Sequence, residues 1–170
     1  TPAISFLRPL QRAVSAADAD LLLSLHHDSV QPEDGTYTPR GFCTTKARGF
    51  SLFVRDDAMS RGLAIRLAHE LRSQGIPFNS YHGKLHPQEG YRLLAPQGVY
   101  DGSRLAILQT AAVPAILMEA AVIANPEDEV QAQTVGYQER IADAVVRSLA
   151  GCRRRVAPER GLVCVESVPE

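Results

Sequence analysis

Apolar positions along the chain fall into two periods. The run Leu21-Leu22-Leu23-Ser24-Leu25 stops on His26-His27-Asp28-Ser29. A short run of this kind reads as a strand buried on both faces, as in a covered parallel sheet. Gly49 to Val54 is aromatic and β-branched and reads as a second strand. Ala115 to Met118 is a short apolar run read as a central strand that Glu119 terminates. Between these runs the period changes to that of a helix. Leu10, Ala13, Val14 and Ala17 follow Pro9, which suits a first helical turn. Leu63, Ala64, Leu67, Ala68 and Leu71 make one stripe from about Met59 to Gln74, stopped by Gly75 and Pro77. Asn125 and Pro126 open a long final helix to about Ala150, with Ile141, Ala142, Val145, Val146 and Leu149 as its buried stripe and Gly151 as its stop. Gln31 to Arg48 carries turn residues and no period, so it reads as a long loop beside the first strand. Alternating strands and helices predict an α/β fold: a three-layer sandwich with a mostly parallel central sheet flanked by helices.

Side chains alternate along a strand, so His26 and His27 point to opposite faces, while His26 and Asp28 share a side if the extended backbone continues. In open α/β sheets the ligand crevice lies at the carboxyl ends of the strands, which is where His26 and Glu119 fall. A carboxylate at the mouth of a buried strand is partly desolvated, which raises its proton affinity toward neutrality and suits acid/base work. The plainer readings are polar strand-end histidines, and a carboxylate paired with a nearby Arg or Lys. His69 lies off the helical stripe and reads as a solvated surface residue. His82 and His86 are four apart, the spacing of two ligands on one helix face, but Gly83 and Pro87 argue against a helix there. They read as loop histidines rather than metal ligands, with a substrate contact as the alternative.

Two separated stretches carry a family resemblance. Ala19-Asp20-Leu21-Leu22-Leu23-Ser24-Leu25-His26-His27-Asp28-Ser29 resembles the "ADLFVSIHADS" signature of the zinc-dependent N-acetylmuramoyl-L-alanine amidases of the amidase-3 type. Pro114-Ala115-Ile116-Leu117-Met118-Glu119, followed by Asn125-Pro126-Glu127-Asp128-Glu129, resembles "PAVLVELGFISNPEDE". Gly49-Phe50 and Ser60-Arg61-Gly62-Leu63-Ala64 match the weaker "GF" and "S-x-x-LA" positions between them. The resemblance implies that His26 is a zinc ligand and Glu119 the catalytic acid/base. His27 stands where the family has Ala and inherits no role. Ala120-Ala121-Val122 replace the family's Leu-Gly-Phe, which puts the pocket floor in question.

The implied function is a peptidoglycan hydrolase that cleaves the amide between N-acetylmuramic acid and L-alanine of the stem peptide, with Zn2+ as cofactor. The implied location is the periplasmic or extracellular cell envelope, or a phage lysis system. The family's "DPGHGG" motif and its further ligand Glu have no match in the sequence. The expectation is therefore a domain over residues 1–152 lacking its N-terminal part, an incomplete zinc set, and a tail over 153–170. A non-catalytic peptidoglycan- or partner-binding domain of the same fold is the rival reading. Another zinc hydrolase, such as a carboxypeptidase, would need an arginine to clamp a terminal carboxylate, which sequence does not place.

Composition narrows this further. A chain of 170 residues suits one domain with a real core. A net charge of -1 gives no electrostatic footprint for nucleic acid or an anionic membrane. The longest apolar stretch, Ala111 to Ala124, is interrupted by Pro114 and Glu119 and does not suit a membrane span. Thr1-Pro2-Ala3 lacks the basic and apolar regions of a secretion signal. Cys43, Cys152 and Cys164 are odd in number and widely spaced, so they suggest neither a zinc ribbon nor a disulfide framework. Arg153-Arg154-Arg155 suit a helix end and are weak evidence for an anionic partner.

Overall fold

The computed structural model describes residues 19–154 and 162–164. The helix expected after Pro9 lies outside the described residues. The elements in chain order are β1 (Leu22–Asp28), the short strands β2 (Thr36–Thr38) and β3 (Gly41–Cys43), β4 (Ser51–Val54), α1 (Ala58–Ser73), α2 (Tyr81–Lys84), β5 (Leu93–Ala95), β6 (Val99–Asp101), α3 (Ala106–Thr110), β7 (Ala115–Val122), α4 (Pro126–Ala132), α5 (Val135–Ser148), β8 (Cys152–Arg154) and β9 (Leu162–Cys164). Single 3-10 turns occupy Pro32–Asp34 and Pro87–Glu89.

Among the described residues, five strands form the central sheet in the order β1-β7-β4-β6-β5. It is a mixed sheet, with β1 parallel to β7 and β4 parallel to β6, while β4 runs antiparallel to β7 and β5 antiparallel to β6. On one face Leu52, Val54, Ile116 and Met118 meet Leu63, Leu67 and Leu71 of α1 and Tyr137, Ile141 and Ala144 of α5. On the other, Phe53, Ala115 and Leu117 pack with Tyr100 and with Ile107 and Leu108 of α3. The α/β sandwich expected from the pattern is therefore the fold, with helices on both faces of one sheet.

Local chemistry explains the ends of α1. The Asp57 carboxylate accepts from the Ser60 amide at 2.9 Å, capping the amino end. At the other end Ile76 N–H donates to Leu71 C=O at 3.1 Å and Gly75 N–H to Arg72 C=O at 2.9 Å. This paired bonding needs a left-handed residue, and Gly75 supplies it with φ +76°. Gly49 answers a different demand: its φ is +87° and a Cβ there would collide with the Pro77 carbonyl, to which the Phe50 amide is bonded.

Five expectations change. β1 is not buried on both faces: it is the outermost strand among the described residues, and Leu25 is 59% exposed. Leu23 packs half-buried against the cluster on the α1 and α5 face and Leu22 against that on the α3 face, so both faces are partly covered at the start of β1 and Leu25 is left open. Glu119 does not terminate its strand, because β7 continues to Val122. The long loop carries the β2–β3 hairpin. The final helix is two helices, since Thr134 caps α5 afresh by accepting from the Tyr137 amide at 3.2 Å. That restart rotates the buried face to Tyr137, Ile141, Ala144 and Ser148, leaving Ala142 exposed and Val146 70% exposed.

The fifth change concerns the cysteines. Cys152 and Cys164 are joined by a disulfide across the antiparallel β8–β9 pair, 12 residues apart, and Cys43 is free. Spacing along the chain did not suggest this pair; the hairpin brings it together. Closing a loop of this length contributes about 2–3 kcal/mol by restricting the unfolded chain. Cys152→Ser is therefore expected to lower the unfolding free energy by about that amount. Denaturant titration of oxidised wild type against the variant checks it; equal stabilities would mean the bridge closes no loop that unfolding opens.

Candidate active site

Parallel pairing sets His26 of β1 directly beside Glu119 of β7, and antiparallel pairing sets Ser51 of β4 beside Glu119 on the other side. Paired residues in a sheet point to the same face, so the three form a row across it. The row lies toward the carboxyl ends of β1 and β7 and the amino end of β4, just beyond the packed layer of Ala115, Leu117 and Phe53. His27 is exposed and adjoins neither.

Glu119 is poorly solvated. Its Oε2 is buried without a hydrogen-bond partner, as is the neighbouring Ser51 Oγ. Burial pushes the Glu119 carboxyl up to about 7, with the Asp28 carboxylate adding to the rise and His82 opposing it. The carboxyl is therefore balanced between its two protonation states near neutral pH. His26 Nε2 lies 3.0 Å from Ser24 Oγ, two residues earlier on the same face.

The register shifts between His26 and Asp28. Asp28 turns to a second cluster. Its Oδ2 accepts from Asn79 Nδ2 at 3.1 Å and meets His82 Nε2 at 2.8 Å. The other ring nitrogen, His82 Nδ1, meets Glu89 Oε2 at 2.7 Å. His82 lies in α2 and is 8% exposed, so one of the two loop histidines stands in a short helix despite Gly83. His86 is buried against Asp34. Asp34 also accepts from Lys46 at 2.6 Å and Tyr81 OH at 2.9 Å. Lys46, His86 and Tyr81 together outweigh burial and hold the Asp34 carboxyl down at about 2. His69 is a surface residue, as expected, 3.6 Å from Glu70.

The sequence pattern placed His26 and Glu119 on one sheet edge with Asp28 on the side of His26, but gave no place in the site's surroundings to Asn79 and Glu89. The usable signal was Asp28, which stands inside the first signature. Its partner His82 is 54 residues away, and no local pattern links them.

An imidazole and a poorly solvated carboxylate thus adjoin toward the carboxyl ends of β1 and β7 in an α/β sandwich, an arrangement able to move a proton. The profile of the amidase-3 family, N-acetylmuramoyl-L-alanine amidase, matches residues 7–151, and the chain belongs to that family. No curated protein sequence matches significantly. Among solved structures, the N-acetylmuramyl-L-alanine amidase Ami1 from Mycobacterium smegmatis aligns with TM-score 0.60 and 22% identity, over 84% of this chain and 58% of that one. The N-acetylmuramoyl-L-alanine amidase from Clostridium difficile 630 aligns with TM-score 0.61 and 20% identity, over 84% and 63%. The catalytic domain of CwlV from Bacillus (Paenibacillus) polymyxa var. colistinus aligns with TM-score 0.59 and 17% identity, over 85% and 65%. These likenesses show a shared fold. The chain spans about three fifths of the length of these structures.

A catalytic zinc takes three protein ligands and a water. Among the described residues no three His, Cys, Asp or Glu side chains come together in a group able to hold an ion. His26 and Glu119 adjoin, but His82 and His86 are each committed to carboxylates. The described donor set does not by itself fit a catalytic zinc.

Proposed function

We propose that this protein acts on peptidoglycan at the amide between N-acetylmuramic acid and L-alanine of the stem peptide, with Glu119 as acid/base. The observation that carries this is the half-buried Glu119 carboxyl, with one buried, unpartnered oxygen and a proton affinity near neutrality. In its ionised form it takes a proton from water attacking the amide carbon; in its protonated form it delivers that proton to the leaving nitrogen of L-alanine. Burial supports both steps, because it makes the charged and neutral forms similar in free energy at working pH. Family membership supports the bond cleaved. Incubation with an N-acetylmuramoyl-L-alanyl peptide, with zinc supplied, tests the proposal by release of the free peptide. Binding without release would favour the second reading, a non-catalytic peptidoglycan-binding domain.

That second reading has an observation of its own, the incomplete donor set among the described residues. Family resemblance assigns His26 to zinc, and we keep that assignment as a proposal. Calorimetric titration is expected to find zinc held far more weakly than the roughly 10–16 kcal/mol of complete sites. Tight one-to-one binding lost in His26→Ala would mean that a full ligand set exists. An envelope location is supported by the Cys152–Cys164 disulfide, since such bonds persist in oxidising compartments. No helix among the described residues is long and apolar enough to cross a membrane.

A further inference from the structure

A cleft of about 450 Å³ opens between the end of β1 and the segment 79–91, lined by Asp28, Ser29, Gln31, His82, Glu89 and Tyr91 among others. Its volume falls in the range of small-ligand sites. It lies beside the row described above, since Asp28 and His82 both act on the charge of Glu119.

The wall of this cleft is held by one imidazole. Both ring nitrogens of His82 face carboxylate oxygens, Asp28 on one side and Glu89 on the other. Ionised carboxylates only accept hydrogen bonds, and a neutral imidazole donates only one. With both contacts made, the cluster holds an extra proton, and His82 as imidazolium satisfies both partners. Burial opposes that charge, but Asp28 and Glu89 outweigh it and raise the His82 pKa. The clamp ties three separate pieces of chain: the end of β1, α2, and the 3-10 turn at Pro87–Glu89. Edge-on rings pack around it, with Phe53 at 5.2 Å, Tyr81 at 5.4 Å and Tyr91 at 5.6 Å between centroids.

The clamp also decides what the cleft can take. Asp28 Oδ1 accepts from the Ser29 amide and Oδ2 from Asn79 and faces His82. Glu89 Oε1 accepts from Gln31 Nε2 at 2.8 Å, and Oε2 faces His82. Each of the four carboxylate oxygens thus has a partner within the protein. What remains is the hydroxyl of Ser29, the Val30 peptide group and the ring of Tyr91, since the Ser29 and Gln31 amides are bonded to Asp28 and Tyr81. Such a surface suits an uncharged, amide-bearing chain.

We propose that this cleft is a subsite for an amide-bearing part of the substrate, and that His82 is the positioning residue that holds its wall in place. This rests on the reading of the protein as a peptidoglycan-acting one. Two parts of the substrate carry that chemistry, the stem peptide and the N-acetyl group of the sugar.

The test is an NMR titration of 15N-labelled protein with three probes: N-acetylmuramic acid, a free peptide beginning with L-alanine, and the N-acetylmuramoyl-L-alanyl peptide. The expected result is saturable shifts at the amides of Ser29, Val30, Gln31 and Tyr91 with the joined probe. Shifts at the same amides with the sugar or with the peptide alone identify which part occupies the cleft. Glu89→Gln keeps the shape and an acceptor for His82 but removes one charge from the clamp; a Kd raised about threefold is expected. His82→Gln cannot bridge both carboxylates and is expected to raise Kd about tenfold, with the spectrum elsewhere unchanged. Shifts centred elsewhere, no shifts, or an unchanged Kd in both variants would overturn the proposal. Hydrolysis followed in the same samples separates the two readings. Cleft shifts without hydrolysis keep the subsite and remove the amidase assignment, whereas hydrolysis without cleft shifts does the reverse.

Discussion

Glu119→Gln is expected to lower the rate of muramoyl-peptide hydrolysis by roughly two to four orders of magnitude. The substitution preserves size and removes the group that carries the proton. Fragment binding should survive, because the cleft walls are made by other residues. The pH profile supplies an independent check. With the carboxyl at about 7, the fraction able to act as base rises through neutral pH, and the rate should rise with it. Near-normal turnover in the variant would remove Glu119 from the acid/base role. Stability should respond in the opposite sense to pH. A carboxyl that binds its proton more tightly in the folded state favours folding below its ordinary range, and that contribution is lost as pH rises through about 7. Glu119→Gln removes this dependence, so the variant should gain on wild type as pH rises from the ordinary carboxylate range to about 7, with no further gain above it. Thermal unfolding of both proteins across that range measures it.

Asp128→Ala is expected to be the most damaging single change outside the hydrophobic core. Asp128 is buried, and its Oδ2 accepts from the Gly49 amide at 2.6 Å and from the Val122 amide at 3.0 Å. One carboxylate thus joins the approach to β4, the end of β7 and the first turn of α4. Removing it strands two buried N–H groups, each costing about 1–3 kcal/mol, and opens space beneath them. A total of about 3–5 kcal/mol is expected. Asp128→Asn should cost much less, because an amide oxygen can accept from both groups. Urea unfolding of the two variants decides between this account and a simple helix-dipole role, for which both changes would cost well under 1 kcal/mol.

The contrast at Asp128 marks the boundary of what the chain discloses about itself. Its place in the first turn of a helix was legible, because Asn125 and Pro126 announce the start and acidic residues suit it. Its burial was not, since the amide of Gly49 is 79 residues away and reaches it only when β4 and β7 pair. The Cys152–Cys164 bridge has the same character, and so has the His82 clamp.

By itself the sequence determined the elements whose causes are local: the stripe and the Gly75 stop of α1, the capped start of α4, the strand run that ends near His26 and the one that carries Glu119. These follow from near neighbours, where period, capping side chains and glycine backbone freedom act over a few residues. It also held the two signatures that place the chain in its family. Tertiary structure decided the rest. Strand order left β1 outermost among the described residues and set Ser51 antiparallel to Glu119. The restart at Thr134 turned the last helix onto a different face. Closure of segment 79–91 over β1 made buried partners of residues that, along the chain, look like loop polar groups. Burial and charge pairing are set by what the fold brings together, and contacts between residues 50 to 80 positions apart leave no trace in any local pattern.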